Sequence, residues 1–293
     1  MGTLRWKLVL LLGAGLQIVA RDSGAQTAEE IVGRIGAQSG VPARETTVDT
    51  FKAGNPGTRV TGIAVTMMAT LEVLQRAVAE GCNLVVTHEP TFYSHRDATE
   101  TLSKESDAVY TAKQKYIAEQ GLVIWRFHDR PHDMKPDMIR AGTVKKLGWE
   151  TLAIDSGAKV FEIRRVTLGA LADHVAGRLG AEAVRIVGDP QAVVQRVGLT
   201  QGFPGFTGQR EVMQSAGLDA LVMGEDHEWE SIAYGADAVT AGMLKGLIVI
   251  GHVASEQAGV EEVARWIRTF VKEVPVRFVP ARDPFRPRNR GGL

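Results

Sequence analysis

The chain has 293 residues, 44% of them hydrophobic and 23% charged, with 34 basic side chains against 34 acidic ones. That length buries a substantial core in one large or two medium domains, and the charge balance argues against a polybasic nucleic-acid binder or an acidic disordered tail. Aromatic residues make up only 6% and Cys82 is the single cysteine, which excludes an intrachain disulfide or a cysteine-type zinc site and leaves little for a base-stacking surface.

In chain order, residues 1–25 read as a signal peptide. Arg5 and Lys7 precede the apolar run Leu8 to Leu12, a stretch too short to span a bilayer as a stable helix, and Ser23-Gly24-Ala25 offers small residues before a cut at Gln26. The alternative is an uncleaved anchor. Cleavage removes Arg5, Lys7, Arg21 and Asp22 and leaves an exported, slightly acidic chain, periplasmic or secreted, with no stable membrane association.

Thr27 then caps a short helix with acids in its first turn. Val60 to Met67 predicts a strand, and Thr70 caps a helix with Leu71, Leu74, Ala77 and Val78 on one face, closed by Gly81. Leu84 to Val86 is a short buried strand, Ser103 to Gln120 a helix, Leu122 to Trp125 a strand, and Pro136 opens a helix that stops near Gly148. The second half repeats the rhythm. Strands are expected at Val160–Ile163, Ala183–Val187, Val194–Leu199, Asp219–Met223, Leu247–Ile250 and Val276–Val279, with helices over Leu168–Leu179 and Ser255–Val271.

Unbroken apolar runs alternating with helices predict an α/β protein of two α/β domains with mainly parallel sheets. The pause at Asp155-Ser156-Gly157 divides an N-terminal domain (26–150) from a C-terminal one (151–280), and the Pro-, Arg- and Gly-rich 281–293 reads as a tail.

Six of the seven histidines fall in four clusters, each directly after a predicted buried strand: His88-Glu89 with His95, His128 to Asp133, Glu225 to Glu228, and His252 with Glu256. Ligands of open parallel sheets bind beyond the carboxyl ends of the strands. One histidine there is ordinarily a satisfied loop residue; four clusters with the same placement favour a metal site in the cleft at the C-terminal ends of the strands. His128 and His132 are four apart, as are His252 and Glu256, which share a face if the helix starts between them; a helix-cap hydrogen bond is the competing explanation for that pair. Imidazole nitrogen with carboxylate oxygen suits Zn, Fe, Mn, Co or Ni, and five or more such ligands favour two divalent ions over one.

These pieces together resemble a known family, the dinuclear-metal-centre hexameric proteins called GTP cyclohydrolase 1 type 2-like or NGG-one-interacting-factor-three-like. The resemblance rests on Asn83–Phe92, His128–His132, Gly224-Glu225, Gly251–Gly259 and the stretch Ala183–Gly202, and covers most of 27–275. It implies that His88, His252 and Glu256 are metal ligands and that the chain forms a homo-oligomer, a hexamer in the family. Two positions depart from the family pattern. Glu89 stands where a second adjacent histidine is usual, and His132 stands where an aspartate is usual. The departures look reciprocal, so Glu89 and His132 are expected to exchange donor types while two metals are kept; loss of one metal position is the alternative.

Two divalent ions can bridge a water, lower its pKa from 15.7 toward about 7 and clamp a developing anion. Glu256 is the expected bridge, and Glu225 and His128 the expected orienting or proton-transfer groups. Asp129 and Asp133 are expected to be solvated or paired with Arg130, His174 to be a packing residue, and Gly202 to Gly208 to be a turn with some capacity for anions. The leading expectation is a metal-dependent hydrolase acting on a small anionic or heterocyclic substrate, a purine nucleotide by the family's name, with no nucleic-acid partner. A metal-delivery protein in a ring-shaped assembly, or purely structural metals, are the alternatives.

Overall fold

A computed structural model describes residues 26–285; the signal-peptide expectation for 1–25, and the part of the tail beyond 285, lie outside the described residues. The chain opens with α1 (Ala28–Gln38), whose Thr27 hydroxyl and Glu30 carboxylate cap each other's backbone N–H groups. It continues through β1 (Phe51–Ala53), β2 (Ile63–Thr66), α2 (Leu71–Ala79), β3 (Leu84–Thr87), α3 (Glu100–Lys104), α4 (Ala108–Glu119), β4 (Val123–Arg126), α5 (Asp129–Asp133) and α6 (Met138–Leu147). The second half runs β5 (Val160–Thr167), α7 (Leu168–Leu179), β6 (Arg185–Gly188), β7 (Val193–Thr200), α8 (Gly205–Met213), β8 (Ala220–Met223), a turn kinked at Glu230 over Glu228–Ile232, α9 (Ala233–Thr240), β9 (Gly246–Val249), α10 (His252–Phe270) and β10 (Val276–Phe278).

Two five-stranded sheets result, ordered β1-β4-β3-β2-β10 and β5-β7-β8-β9-β6. Every residue of β2, β3, β4, β8 and β9 is buried, which is why these strands read as continuous apolar runs. They pair in parallel with one another within each sheet. The sheets are nonetheless mixed, because β1, β5 and β6 join their neighbours antiparallel at the edges. The half-exposed and exposed residues of β6 mark it as such an edge.

Two expectations need correction. The helix expected over Ser103 to Gln120 is two helices: Ser106 takes φ 52°, and the Asp107 side chain accepts the Tyr110 N–H and restarts the helix as α4. The division into 26–150 and 151–280 is also not contiguous. β10 pairs in parallel with β2, and Val260, Val263, Ala264 and Ile267 of α10 lie in the first core with Val276 and Val279. The chain returns because an edge of the first sheet and the apolar face of α10 satisfy each other.

α10 crosses α6 at closest approach through two glycines. A Cβ on Gly142 would sit 2.6 Å from Gly259 Cα, and one on Gly259 would sit 2.4 Å from Ile139 Cα. Among the described residues no helix is long and apolar enough to cross a membrane. Because the obstacle at Gly259 is backbone, Gly259→Ala is expected to push the helices apart and cost about 1–3 kcal/mol of stability, read as a lower denaturant midpoint at unchanged slope.

Candidate metal centre

Four strands deliver side chains to one cleft. His88 and Glu89 follow β3, His128 follows β4 by two residues, Glu225 follows β8, and His252 follows β9 as the first residue of α10. The chain turns at Gly251 with φ 86°, so the helix begins at His252 itself and places Glu256 one turn further on the same face, with Nε2 3.2 Å from Oε2. His128 caps the short α5 and His132 lies within it, and their ring centroids lie 5.0 Å apart. Asp49 holds that turn from outside: its carboxylate accepts the backbone N–H groups of His128, Asp129 and Arg130 at 2.7, 2.8 and 3.0 Å.

The structure therefore brings together His88, Glu89, His128, His132, His252 and Glu256. The ligand atoms of His88, His128 and His132 lie within 4.8 Å of one another, and so do those of His88, Glu89 and Glu256. His88 belongs to both groups. Its Nδ1 faces the Phe127 carbonyl at 3.1 Å, which only accepts, so Nδ1 carries the proton and Nε2 a bare lone pair. That buried Nε2 has no hydrogen-bond partner, and Glu256 Oε2 is 3.6 Å away. Burial holds the His88 pKa down, which keeps the ring neutral. Glu89 Oε1 lies 3.4 Å from Nε2 of both His128 and His252. An unpartnered buried imidazole facing carboxylates is an arrangement that a divalent cation satisfies.

Glu89, His132 and His252 each have a partner behind them. Arg126, fully buried, hydrogen-bonds the His88 and His95 carbonyls and holds Glu89 Oε2 at 3.2 Å, leaving Oε1 free toward the cluster. Asp137 accepts from His132 Nδ1 at 3.0 Å while capping α6, and it raises the His132 pKa against the lowering effect of burial. Glu225 Oε1 meets His252 Nδ1 at 2.8 Å. Burial alone would lower His252, but Glu225, Glu256 and Glu89 push it up to about 12. Burial would raise Glu89 and Glu256, and the surrounding histidines hold both well below the usual carboxylate range instead.

Gly202, at φ 57°, closes one side; a Cβ there would lie 2.6 Å from Glu256 Oε1 and 3.1 Å from His252 Nε2. The turn expected over Gly202–Gly208 is confined to Gly202–Pro204, because α8 starts at Gly205; Gly202 serves by close approach, its N–H donating to the Ser255 hydroxyl at 2.9 Å. A cavity of about 650 Å³ opens in front, lined by Glu89, His128, His132, Glu225, His252 and Glu256 among others.

Other histidines fall outside the cluster or at its rim. His95 lines the cavity 5.6 Å from His128, His227 stacks on Trp229, and His174 stacks on Trp149 and meets the Leu147 carbonyl, as a packing residue does. Asp129 and Asp133 pair with Arg44, not with Arg130, whose Nε meets the Val41 carbonyl. Arg44 reaches both carboxylates from a loop far back in the chain, a contact invisible to local spacing. Asp129 also accepts from Thr47 and Val48, and these bonds outweigh burial and bring it down to about 2. Cys82 is a free thiol of the first core, pushed up by burial to about 11. Arg126, Asp49 and Asp137 went unread in the sequence; an arginine ending an apolar strand and an aspartate following Pro136 were the available signals.

A family model described as Duf34/NIF3 (NGG1p interacting factor 3) matches residues 48–284, and the chain belongs to that family, which is the GTP cyclohydrolase 1 type 2-like family resembled by its motifs. No curated protein matches the sequence. Among solved structures, protein ybgI of unknown function is 20% identical, with a TM-score of 0.67 over 89% of this chain and 100% of that one. The Bacillus cereus protein related to NIF3 is 14% identical, with a TM-score of 0.66 over 89% and 99%. Reduced HcgD from Methanocaldococcus jannaschii is 14% identical, with a TM-score of 0.63 over 86% and 98%. At these identities the likeness is one of fold.

Two outcomes follow from the buried charges. Arg126→Met leaves Glu89 without its buried guanidinium and should cost about 3–5 kcal/mol in chemical denaturation. A cation taken by His252 must displace its proton. Because that proton is held up to about pH 12, the apparent affinity for zinc should rise with pH across the neutral range, by about tenfold per unit for one proton released. Titration calorimetry in buffers of different ionisation enthalpy counts that proton.

Proposed function

We propose that this member of the Duf34/NIF3 family binds a pair of divalent cations, of Zn, Fe, Mn, Co or Ni type, and is a metal-dependent hydrolase of a small anionic or heterocyclic substrate. The observation that carries the reading is the buried, unpartnered His88 Nε2 shared by two groups of ligand atoms. In this reading His88, Glu89, His132, His252 and Glu256 would hold the metals, with the Glu256 carboxylate lying between His88 and His252. When bound, such a pair supplies an acidified water and a positive clamp for a developing anion.

The chain's own residues do the rest. Glu225 fixes the His252 ring through Oε1, and its half-exposed carboxylate lines the cavity, where its second oxygen can take or return a proton. His128 stacks on His88 at 4.7 Å and faces Glu89, with Nδ1 3.2 Å from Asp129. That position serves proton transfer and also lies within the ligand group of His88 and His132. The exchange of donor types at Glu89 and His132 is supported by their separate supports, Arg126 and Asp137. The signal-peptide pattern of residues 1–25 supports reading the chain as exported, and its family membership supports a homo-oligomer.

Elemental analysis of the purified full chain should find about two ions per chain, and a count near one would overturn the paired reading. Glu225→Gln should keep the metals and lower turnover by about 10²–10⁴-fold. If the loaded protein turns over no phosphoester, nucleotide or amide, the metal-delivery reading replaces the hydrolase.

A further inference from the structure

The cavity has a second charged wall that the metal-binding groups do not use. Lys113, on α4, lines it with a side chain only 4% exposed. Its Nζ donates to the Thr91 carbonyl and sits 5.6 and 5.3 Å from the ring centroids of Phe92 and Tyr93. Burying an ammonium is costly unless an anion answers it, and here the answer is incomplete. Asp97 is the carboxylate whose field reaches Lys113, but it already pairs with Lys52 at 3.4 Å and Arg126 at 3.7 Å and accepts the Thr91 and Phe92 N–H groups. Lys113 makes no ion pair of its own among the described residues. An ammonium carries three donors, and Thr91 takes one.

The niche is built rather than incidental. Asp97 clamps the loop that carries Thr91, Phe92 and Tyr93, and Tyr93 is held at φ 58° with its ring 59% exposed beside Lys113. Phe203, 45% exposed, is a second ring on the cavity lining. Arg140, also on the lining, is turned to the Leu199 carbonyl at 3.3 Å.

We propose that Lys113 is a carboxylate-binding subsite, and that the substrate carries a hydrolysable polar head for the metal-binding groups and an acidic tail for Lys113, joined by an apolar or aromatic segment that meets Tyr93 and Phe203. A carboxylate fits better than a phosphate dianion, because one ammonium with two donors left supplies too little charge for the latter. Burial brings Lys113 down to about 8, so it is still largely protonated at neutral pH and able to pair. The proposal rests on the metal-centre reading above.

The test uses zinc-loaded full-length protein and probes with a metal-binding head: the monohydroxamates of succinic, adipic and suberic acid, each against the alkyl hydroxamate of matching length. Calorimetry should find at least one acid binding about tenfold more tightly than its neutral counterpart. Lys113→Met should reduce that preference to within about twofold while leaving the neutral probe's affinity unchanged, and Lys113→Arg should keep most of it. The proposal is overturned if none of the three acids is preferred in the wild-type protein, or if the preference survives in Lys113→Met, or if it disappears in Arg140→Gln instead. Should Lys113→Met fail to fold, Lys113→Gln takes its place, with the same loss of preference expected and its survival overturning the proposal. If the hydroxamates bind loaded and metal-stripped protein equally, the metal-centre reading itself fails and takes the subsite with it.

Discussion

Helix α10 has to satisfy two parts of the molecule at once, and the site depends on that constraint. Its first turn leaves β9 in the second sheet carrying His252 and Glu256, while its later turns supply Val260, Val263, Ala264 and Ile267 to the core under the first sheet. The contact with α6 at Gly142 and Gly259 admits no side chain between the two backbones. A rigid helix pinned at that crossing and rooted at a strand end has little freedom in where its first turn lies. Glu256 is thereby held against His88, which comes from the other sheet.

The second organising feature is how charge is buried. Glu89 and Glu256 are among the most enclosed carboxylates of the described residues; Glu256 faces the imidazoles of His88 and His252, whereas Glu89 also has a guanidinium. Arg126 binds the outer oxygen of Glu89, and His252 stands between the carboxylates of Glu225, Glu256 and Glu89. The two departures from the family pattern gain a physical account here. A carboxylate at 89 needs a cation behind it and has Arg126; an imidazole at 132 needs an acceptor on its far nitrogen and has Asp137.

Much of this was legible before any coordinates. Strand and helix placements rest on periodicity and caps spanning a few residues, so β3, β8 and β9 are readable from apolar runs, and α1 and α2 from the caps Thr27 and Thr70. The split of α3 from α4 was missed because one aspartate hydrogen bond overrides a continuous helical pattern. β1 was missed because a three-residue strand with half-buried side chains carries no period.

For the site, the sequence alone determined which chemical groups stand at the ends of which buried strands, because strand polarity and apolar runs are local properties. Only the tertiary structure decided which of them meet. His88 finds the Phe127 carbonyl 39 positions away, His128 is held by Asp49, and α10 with β10 crosses back to the first sheet. Those contacts arise from closing long loops over a shared core, where packing and the need to pair buried charge select the partners. No spacing along the chain encodes that selection.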